Sequence, residues 1–562
     1  MRFTLLYLAA CVSEAPLTPL GLPVDPEPLA SLEDCLGMDW DPVAVGGTAV
    51  DIALGGEFTA VGFASRVEVH YADGTEPWVA WPIGEVHGLS VRGDEVWVAL
   101  GRGGVAVLDV RQRSVHRRAT GGDITDIAAG DGVWAVDRSG RLLDVGGDIV
   151  FAHVVAGNPK GVALSGSSPV WVDMRSKLWR WNGTSEEQIG TADHVATSGS
   201  EIWTAQGSTL SRGSMREELP GGITALSATG DRVYALTEGG LFVWDGEVLV
   251  PPTSWPSILR DPQFEPTGLA VAGERTAISG GAAGWSLGSE IHAGTGPIQV
   301  VQVVGERLFV GTGASRDHGQ LRVLDRDTLK VLEVHDTGSV RAVLATEDAV
   351  WFAGSGLHRY ADGAIVDIGP PEDGILSLGV DEGGDVYVLT DSGTVEVWDG
   401  ETLHTAVDSL PWPGAAMALF EGRPAIVSPA VGRLWYDGVG FALPAPGGGA
   451  SRWSGAHPLE VGEHLWVPMP AGGLAVVDPG KQTVERVAPS ILTSAWDVAL
   501  GGRDQAWVAL GAQGVALVSH LDRPRFEQQC ALPGSVEHLA ASADRVYAAS
   551  GASLFVLTPP VE

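Results

Sequence analysis

Three observations predict an all-β chain of about fourteen four-stranded blades, forming two tandem seven-bladed β-propellers. The first is a recurrent phrase: an apolar residue, an aromatic, two or three small apolar residues, a glycine-rich turn and a second apolar run. It is clearest at Val96-Trp97-Val98-Ala99-Leu100, Val133-Trp134-Ala135-Val136, Val350-Trp351-Phe352-Ala353, Ala506-Trp507-Val508-Ala509-Leu510 and Val546-Tyr547-Ala548-Ala549. The second is its spacing of roughly 31 to 43 residues, the length of one blade. The third is composition: 44% hydrophobic residues for buried strands and 77 glycines for the turns between them. A single ring of fourteen blades would leave a wide solvent hole, and propellers close with about four to eight, so two rings are expected.

The first element is an address. Met1-Arg2-Phe3 leads into a short apolar run that ends Leu8-Ala9-Ala10-Cys11, the layout of a secretory signal and too short to span a bilayer. That ending resembles the bacterial lipobox, which implies cleavage before Cys11 and lipidation of its thiol. Residue 12 is Val rather than Asp, and by the same resemblance this points to the outer membrane or cell surface. Residues 1–11 are therefore read as a lipoprotein signal peptide and 12–40 as a proline-rich tether and possible ring-closing strand.

The blades follow. The phrase recurs near residues 58, 96, 133, 170, 202, 233, 276, 308, 350, 386, 425, 465, 506 and 546, with the first propeller set at 41–295 and the second at 296–562. Within 123–150, strands are expected at Ile124–Ala129, Val133–Val136, Arg141–Val145 and Ile149–His153, separated by Gly130-Asp131-Gly132 and Ser139-Gly140. Strands apolar on both faces suit sheets sandwiched between neighbours. The last unit, 535–559, has only three strands, so the segment 29–41 is expected to supply its fourth.

The aromatics at the second position (Trp97, Trp134, Trp171, Trp203, Trp351, Trp466, Trp507) are read as packing between sheets. Trp255, Trp412 and Trp453 lie off this register in connecting segments, where contact with a ligand and burial under a loop are both open.

Residues 96–110 (VWVALGRGGVAVLDV) and 465–479 (LWVPMPAGGLAVVDP) resemble the LVIVD repeat of secreted and surface propellers, while 386–400 (VYVLTDSGTVEVWDG) resembles the ligand-sensing propellers of two-component regulators. The resemblance implies a fold and carries no catalytic residues. Trp398-Asp399-Gly400 is similar to a WD repeat without its upstream Gly-His.

The chemistry is bounded mainly by what the chain lacks. Thirty-five basic against 70 acidic residues give a net charge of −35, with only four lysines, which disfavours nucleic acid and anionic lipid surfaces. No Gly-x-Ser-x-Gly elbow, His-Glu-x-x-His pair, Cys-x-x-Cys pair or phosphate loop occurs, so no catalytic residue, cofactor or metal site is assigned. Asp325-Arg326-Asp327 is read as a turn. If Cys11 is acylated, Cys35 and Cys530 remain, near opposite ends of the repeat array; a disulfide between them and two separate buried thiols are the alternatives. The longest hairpin connection, 311–320, carries Arg316, Asp317 and His318 as a candidate binding loop. The expected function is a non-enzymatic surface lipoprotein presenting its propeller faces to a protein or polysaccharide ligand. The alternative is an extracellular propeller enzyme, a hydrolase or lyase acting on polymers.

Overall fold

The computed structural model describes residues 39–558, apart from internal stretches of which the longest are 251–265, 314–318, 411–415 and 444–456. The described residues form fourteen four-stranded antiparallel sheets and no helix. Blades 1 to 7 span 49–80, 88–118, 124–154, 159–191, 194–218, 223–250 and 268–293; blades 8 to 13 span 298–336, 340–369, 375–407, 416–442, 459–487 and 497–530. Blade 14 joins 536–558 to the strand Asp39–Ala44, which pairs with Ser553–Thr558 from Asp39↔Thr558 to Ala44↔Ser553.

Innermost strands of successive blades pack together from blade 1 to blade 7 and back to blade 1, and from blade 8 to blade 14 and back to blade 8, except that between blades 12 and 13 the second strand His464–Met469 meets Asp497–Leu500. Two seven-bladed rings result. Residues 41–44, assigned from sequence to the first propeller, belong instead to the second, because their backbone completes the open edge of blade 14. Blade 3 begins at Ile124–Ala129 as expected, while its outer strand is Phe151–Val154, two residues later than the sequence reading.

The phrase aromatics fill the gaps between blades. Trp171, Trp203 and Trp466 are fully buried, and Trp97, Trp134, Trp351 and Trp507 nearly so. Each lies in a cluster drawn from two neighbouring sheets, such as Trp97 with Ile124, Val133 and Leu143. Burying an indole this way contributes several kcal/mol per blade, of order 3–5 by the cost of its truncation.

The rings close differently. Ring 2 is stapled by the shared strand Asp39–Ala44. Ring 1 has no such strand, and its last blade grips its first by side chains: the Arg275 guanidinium donates to the carbonyls of Gly55 (3.1 Å), Gly56 (2.9 Å) and Phe58 (3.2 Å) and to Thr59 Oγ1 (3.1 Å). Beside it, Ala49 and Gly281 exchange a backbone bond of 3.1 Å, and Trp285 packs with Ile52, Val61 and Phe63.

The two rings touch where their hairpin turns between second and third strands meet. Ser65 Oγ donates to Ser550 O (3.1 Å) and lies 2.5 Å from Ser553 Oγ, which also accepts from Arg66 Nη1 (3.2 Å). Arg66 is 2% exposed; its charge is met by Glu68 at 2.7 Å and its plane lies over Phe63 at 4.1 Å. Trp81 of ring 1 sits edge-on to Phe555 of ring 2 at 5.6 Å, and Gly534 N donates to Gly84 O at 3.1 Å.

Candidate functional site

The innermost strand of each blade turns one backbone edge toward its ring's channel, and an unpaired edge must find partners for its N–H groups. Four blades share one device. In blades 1, 3, 10 and 13 the residue opposite the fourth residue of the phrase is a short polar side chain that reaches the next blade: Asp51 Oδ2 accepts from Leu89 N (2.7 Å), Asp126 Oδ2 from Val162 N (2.8 Å), Ser377 Oγ from Met417 N (3.2 Å) and Asp497 Oδ2 from Leu539 N (2.8 Å). Ser90 Oγ does the same for Ala129 N at 2.9 Å from two residues further along. In each aspartate the other oxygen accepts the N–H of the following residue at 2.8 Å.

Burial and these donors oppose one another. Burial pushes the carboxyls up, Asp51 to about 7, Asp126 to about 6 and Asp497 to about 8, against the backbone N–H groups that favour the charged form. The motif x-Asp-[Ile/Val]-Ala is visible in the sequence at Asp51, Asp126 and Asp497. It marks the staple positions, although the sequence reading above did not single it out.

The ring-2 channel encloses about 540 Å³. Its lining includes Glu382, Glu421 and Glu460, all exposed, and its walls mix strand backbone with apolar side chains such as the half-buried Leu419. Also within it His457, Asp497 and His538 come together from blades 12, 13 and 14. Burial drives both imidazoles neutral, His457 down to about 4 and His538 to about 3, the latter helped by His457.

His457 Nδ1 lies 3.2 Å from Ser377 Oγ, but this is not a nucleophile and its base. The Ser377 hydroxyl donates its one proton to Met417 O at 3.1 Å, and the Asp497 carboxylate is taken up by backbone N–H groups rather than by an imidazole. Among the described residues no group of three or more His, Cys, Asp or Glu side chains converges on a metal position.

A second concavity, of about 400 Å³, opens beside the joint between the rings. Glu85, His87, Arg102 and Arg138 line it from ring 1, and Trp496 and Gln513 from ring 2. Behind it, burial raises the Glu537 carboxyl to about 7, with the Glu85 charge adding to the effect.

Cys11, Cys35, Arg316, Asp317, His318, Trp255, Trp412 and Trp453 lie outside the described residues. The stem of the 311–320 loop is described: Thr312 Oγ1 accepts from Gln320 N at 3.1 Å, and Gly313 and Gly319 press so closely on Ser339 that neither has room for a Cβ. This stem is the blade-8 equivalent of the turns that form the inter-ring joint. Cys530 is 1% exposed and disulfide-bonded. Asp325 accepts from the N–H groups of Asp327 and Thr328, the turn read from sequence.

No family model and no curated protein matches the chain. Solved structures similar to it include PorZ, described as a bacterial surface component of the type-IX secretion system of Porphyromonas gingivalis. It shares 12% identity over 92% of this chain and 87% of that one, with a TM-score of 0.41. Another is the extracellular domain of a hybrid two-component system from B. thetaiotaomicron, with 13% identity over 92% of this chain and 82% of that one and a TM-score of 0.36.

Proposed function

We propose that the protein is an exported lipoprotein, anchored through Cys11, whose two fused rings act as a non-enzymatic binding body at the outer membrane or cell surface. The observation that carries this reading is how the channel groups are used. Asp51, Asp126, Ser377 and Asp497, the polar side chains best placed for chemistry, are each spent on a backbone N–H of the next blade. Buried polar groups committed this way stiffen a scaffold and leave recognition to its faces and clefts.

The joint supports the same reading. Its buried Ser65–Ser553–Arg66 contacts make the rings one body with a cleft between them, a favoured place for ligands. The lipobox-like Leu8-Ala9-Ala10-Cys11 and the proline-rich stretch after it would hold that body off the membrane.

The test is fractionation of cells expressing the full chain and its Cys11→Ser variant, followed by capture from intact membranes. Release of the variant to the soluble fraction, with a partner recovered on the anchored form, is expected. Retention of the variant in the membrane overturns the anchor. Turnover of a polymer substrate by the purified chain, abolished by Asp497→Asn, overturns the non-enzymatic reading.

A further inference from the structure

On ring 2, the turns between first and second strands lie on the face away from the inter-ring joint, and there a cleft of about 960 Å³ opens between blades 9 and 10. Its two walls differ. Apart from the exposed Asp348 in its turn, blade 9 brings hydrogen-bond donors to the cleft: Trp351 on the second strand and Arg359, paired opposite it, on the third. Blade 10 brings acceptors, Glu382 and Asp385 from the turn after its first strand, together with the half-buried Trp398. Asp381 and Asp399 also line the cleft but serve their own turns. Asp381 Oδ1 accepts from the N–H groups of Gly383 (2.9 Å) and Asp385 (3.0 Å), and Asp399 Oδ1 from those of Glu401 (2.9 Å) and Thr402 (2.8 Å).

Three polar groups of this cleft have nothing to bond. The Trp351 indole packs with Leu378, Val386 and Val388 of blade 10, and the residue is only 6% exposed. In blade 2 the equivalent Trp97 Nε1 donates to Glu95 at 3.1 Å; two residues before Trp351 stands Ala349, and the Trp351 N–H meets no acceptor among the described residues. Unlike the nitrogens of Trp171, Trp203 and Trp466, it is not shut away, so it opens into the cleft. Arg359 and Asp385 are both half-buried and stand on opposite walls without meeting in an ion pair, and neither side chain bonds to another described residue. Polar groups so placed are costly unless something completes them. Donors on one wall and acceptors on the other are completed together by a group that both accepts and donates, which a hydroxyl does. The carboxylates outnumber the single guanidinium and turn an anion away, while a cation would leave Arg359 and the Trp351 N–H unmet. Trp398 adds indole surface suited to the C–H groups of a sugar ring.

We infer that the cleft between blades 9 and 10 binds a neutral pyranose unit of a polysaccharide, its hydroxyls accepting from Trp351 Nε1 and Arg359 and donating to Asp385, with its C–H groups against Trp398. This names a ligand class for the binding body proposed above and rests on that reading for the expectation that the sugar is held and not cleaved. It does not depend on where the protein is anchored.

The experiment is affinity electrophoresis of the purified full chain through native gels containing dextran, galactomannan, xyloglucan or arabinoxylan, with alginate as the acidic arm and a gel without polysaccharide as reference. Retardation by at least one neutral polysaccharide and none by alginate is expected. Arg359→Gln and Asp385→Asn, which break no bond in the free protein, should each weaken the interaction about tenfold, and so should Trp398→Ala. Asp131→Asn, on the ring-1 channel, should leave it unchanged. If Trp398→Ala fails to fold, the two polar variants carry the test. No retardation by any neutral polysaccharide, retardation by alginate, or retardation undiminished in Arg359→Gln and Asp385→Asn overturns this inference and leaves the binding body standing. Shortening of a retained polysaccharide by the wild-type chain overturns the non-enzymatic reading and leaves the sugar site.

Discussion

Replacing Asp497 by Asn tests whether burial or hydrogen bonding controls the channel carboxyls. In the folded chain Asp497 is 6% exposed, and burial lifts its carboxyl to about 8 even though Val498 and Leu539 donate to it at 2.8 Å each. In the unfolded chain it titrates near 4. Between those values the folded state holds a proton that the unfolded state has lost, so the contribution to stability is full at low pH and is lost as pH rises toward 8. The slope is about 1.4 kcal/mol per pH unit, which makes about 2.7 kcal/mol between pH 5 and 7. For a ring of this size that corresponds to a Tm difference of roughly 5 °C. Asp51, Asp126 and Glu537 act in the same direction, and His457 and His538, both lowered by burial, act oppositely below about 6.5. All five remain in the Asn variant and cancel when the two proteins are compared. The assay is therefore urea unfolding of wild type and Asp497→Asn at pH 5, 6 and 7, with the difference in stability plotted against pH. The variant should be the less stable at pH 5 and should recover relative to wild type by about 2.7 kcal/mol at pH 7. Parallel curves would show that the backbone N–H donors of Val498, Leu539 and His457 keep the carboxylate charged throughout, and would refute the reasoning.

Arg275→Ala removes four hydrogen bonds across the only closure of ring 1 without a shared strand; we expect a loss of about 2–3 kcal/mol and faster hydrogen exchange confined to blades 1 and 7. Uniform protection across those blades would place the closure in the Trp285 packing and the Ala49–Gly281 bond instead. Cys530 ends the outer strand of blade 13, and Asp39, four positions after Cys35 in the sequence, begins the outer strand of blade 14, so a bridge between Cys35 and Cys530 is expected. Cys35→Ser should lower stability by about 2–4 kcal/mol and expose one thiol to titration under denaturing, non-reducing conditions, whereas two free thiols in the unaltered, denatured chain would remove the bridge. The triple alanine variant of Arg316, Asp317 and His318 should stay within about 0.5 kcal/mol of wild type while weakening capture of a membrane partner; unchanged capture would leave the loop without a binding role.

The blade architecture was legible because it depends on short-range pattern. Val133-Trp134-Ala135-Val136 is apolar on both faces since blade 3 is covered on both, and that information is complete within four residues. The staples were half legible. The Asp in Val50-Asp51-Ile52 can be read from sequence, but its recipient, Leu89 N, lies 38 residues away and carries no side-chain mark. The joint was not legible at all. Ser65 and Ser553 are two unremarkable turn serines separated by 488 positions, and nothing local distinguishes them from the serines of other turns.

The strand Asp39–Ala44 is synthesised before every blade and finds its place only after the last of them, on Ser553–Thr558. Ring 1 is thus an insertion within ring 2: its seven blades are contiguous from 49 to 293 and can complete themselves on the nascent chain, whereas ring 2 waits for both ends. The entropic cost of that wait grows only logarithmically with the intervening length. The kinetic cost is larger, because until the first strand returns, blade 14 offers an open edge containing Leu554, Phe555 and Leu557 to any neighbouring chain. Polypeptides folding together would be prone to exchange this strand, so that crowding during folding, rather than any weakness of the finished rings, would limit the yield of correctly closed molecules.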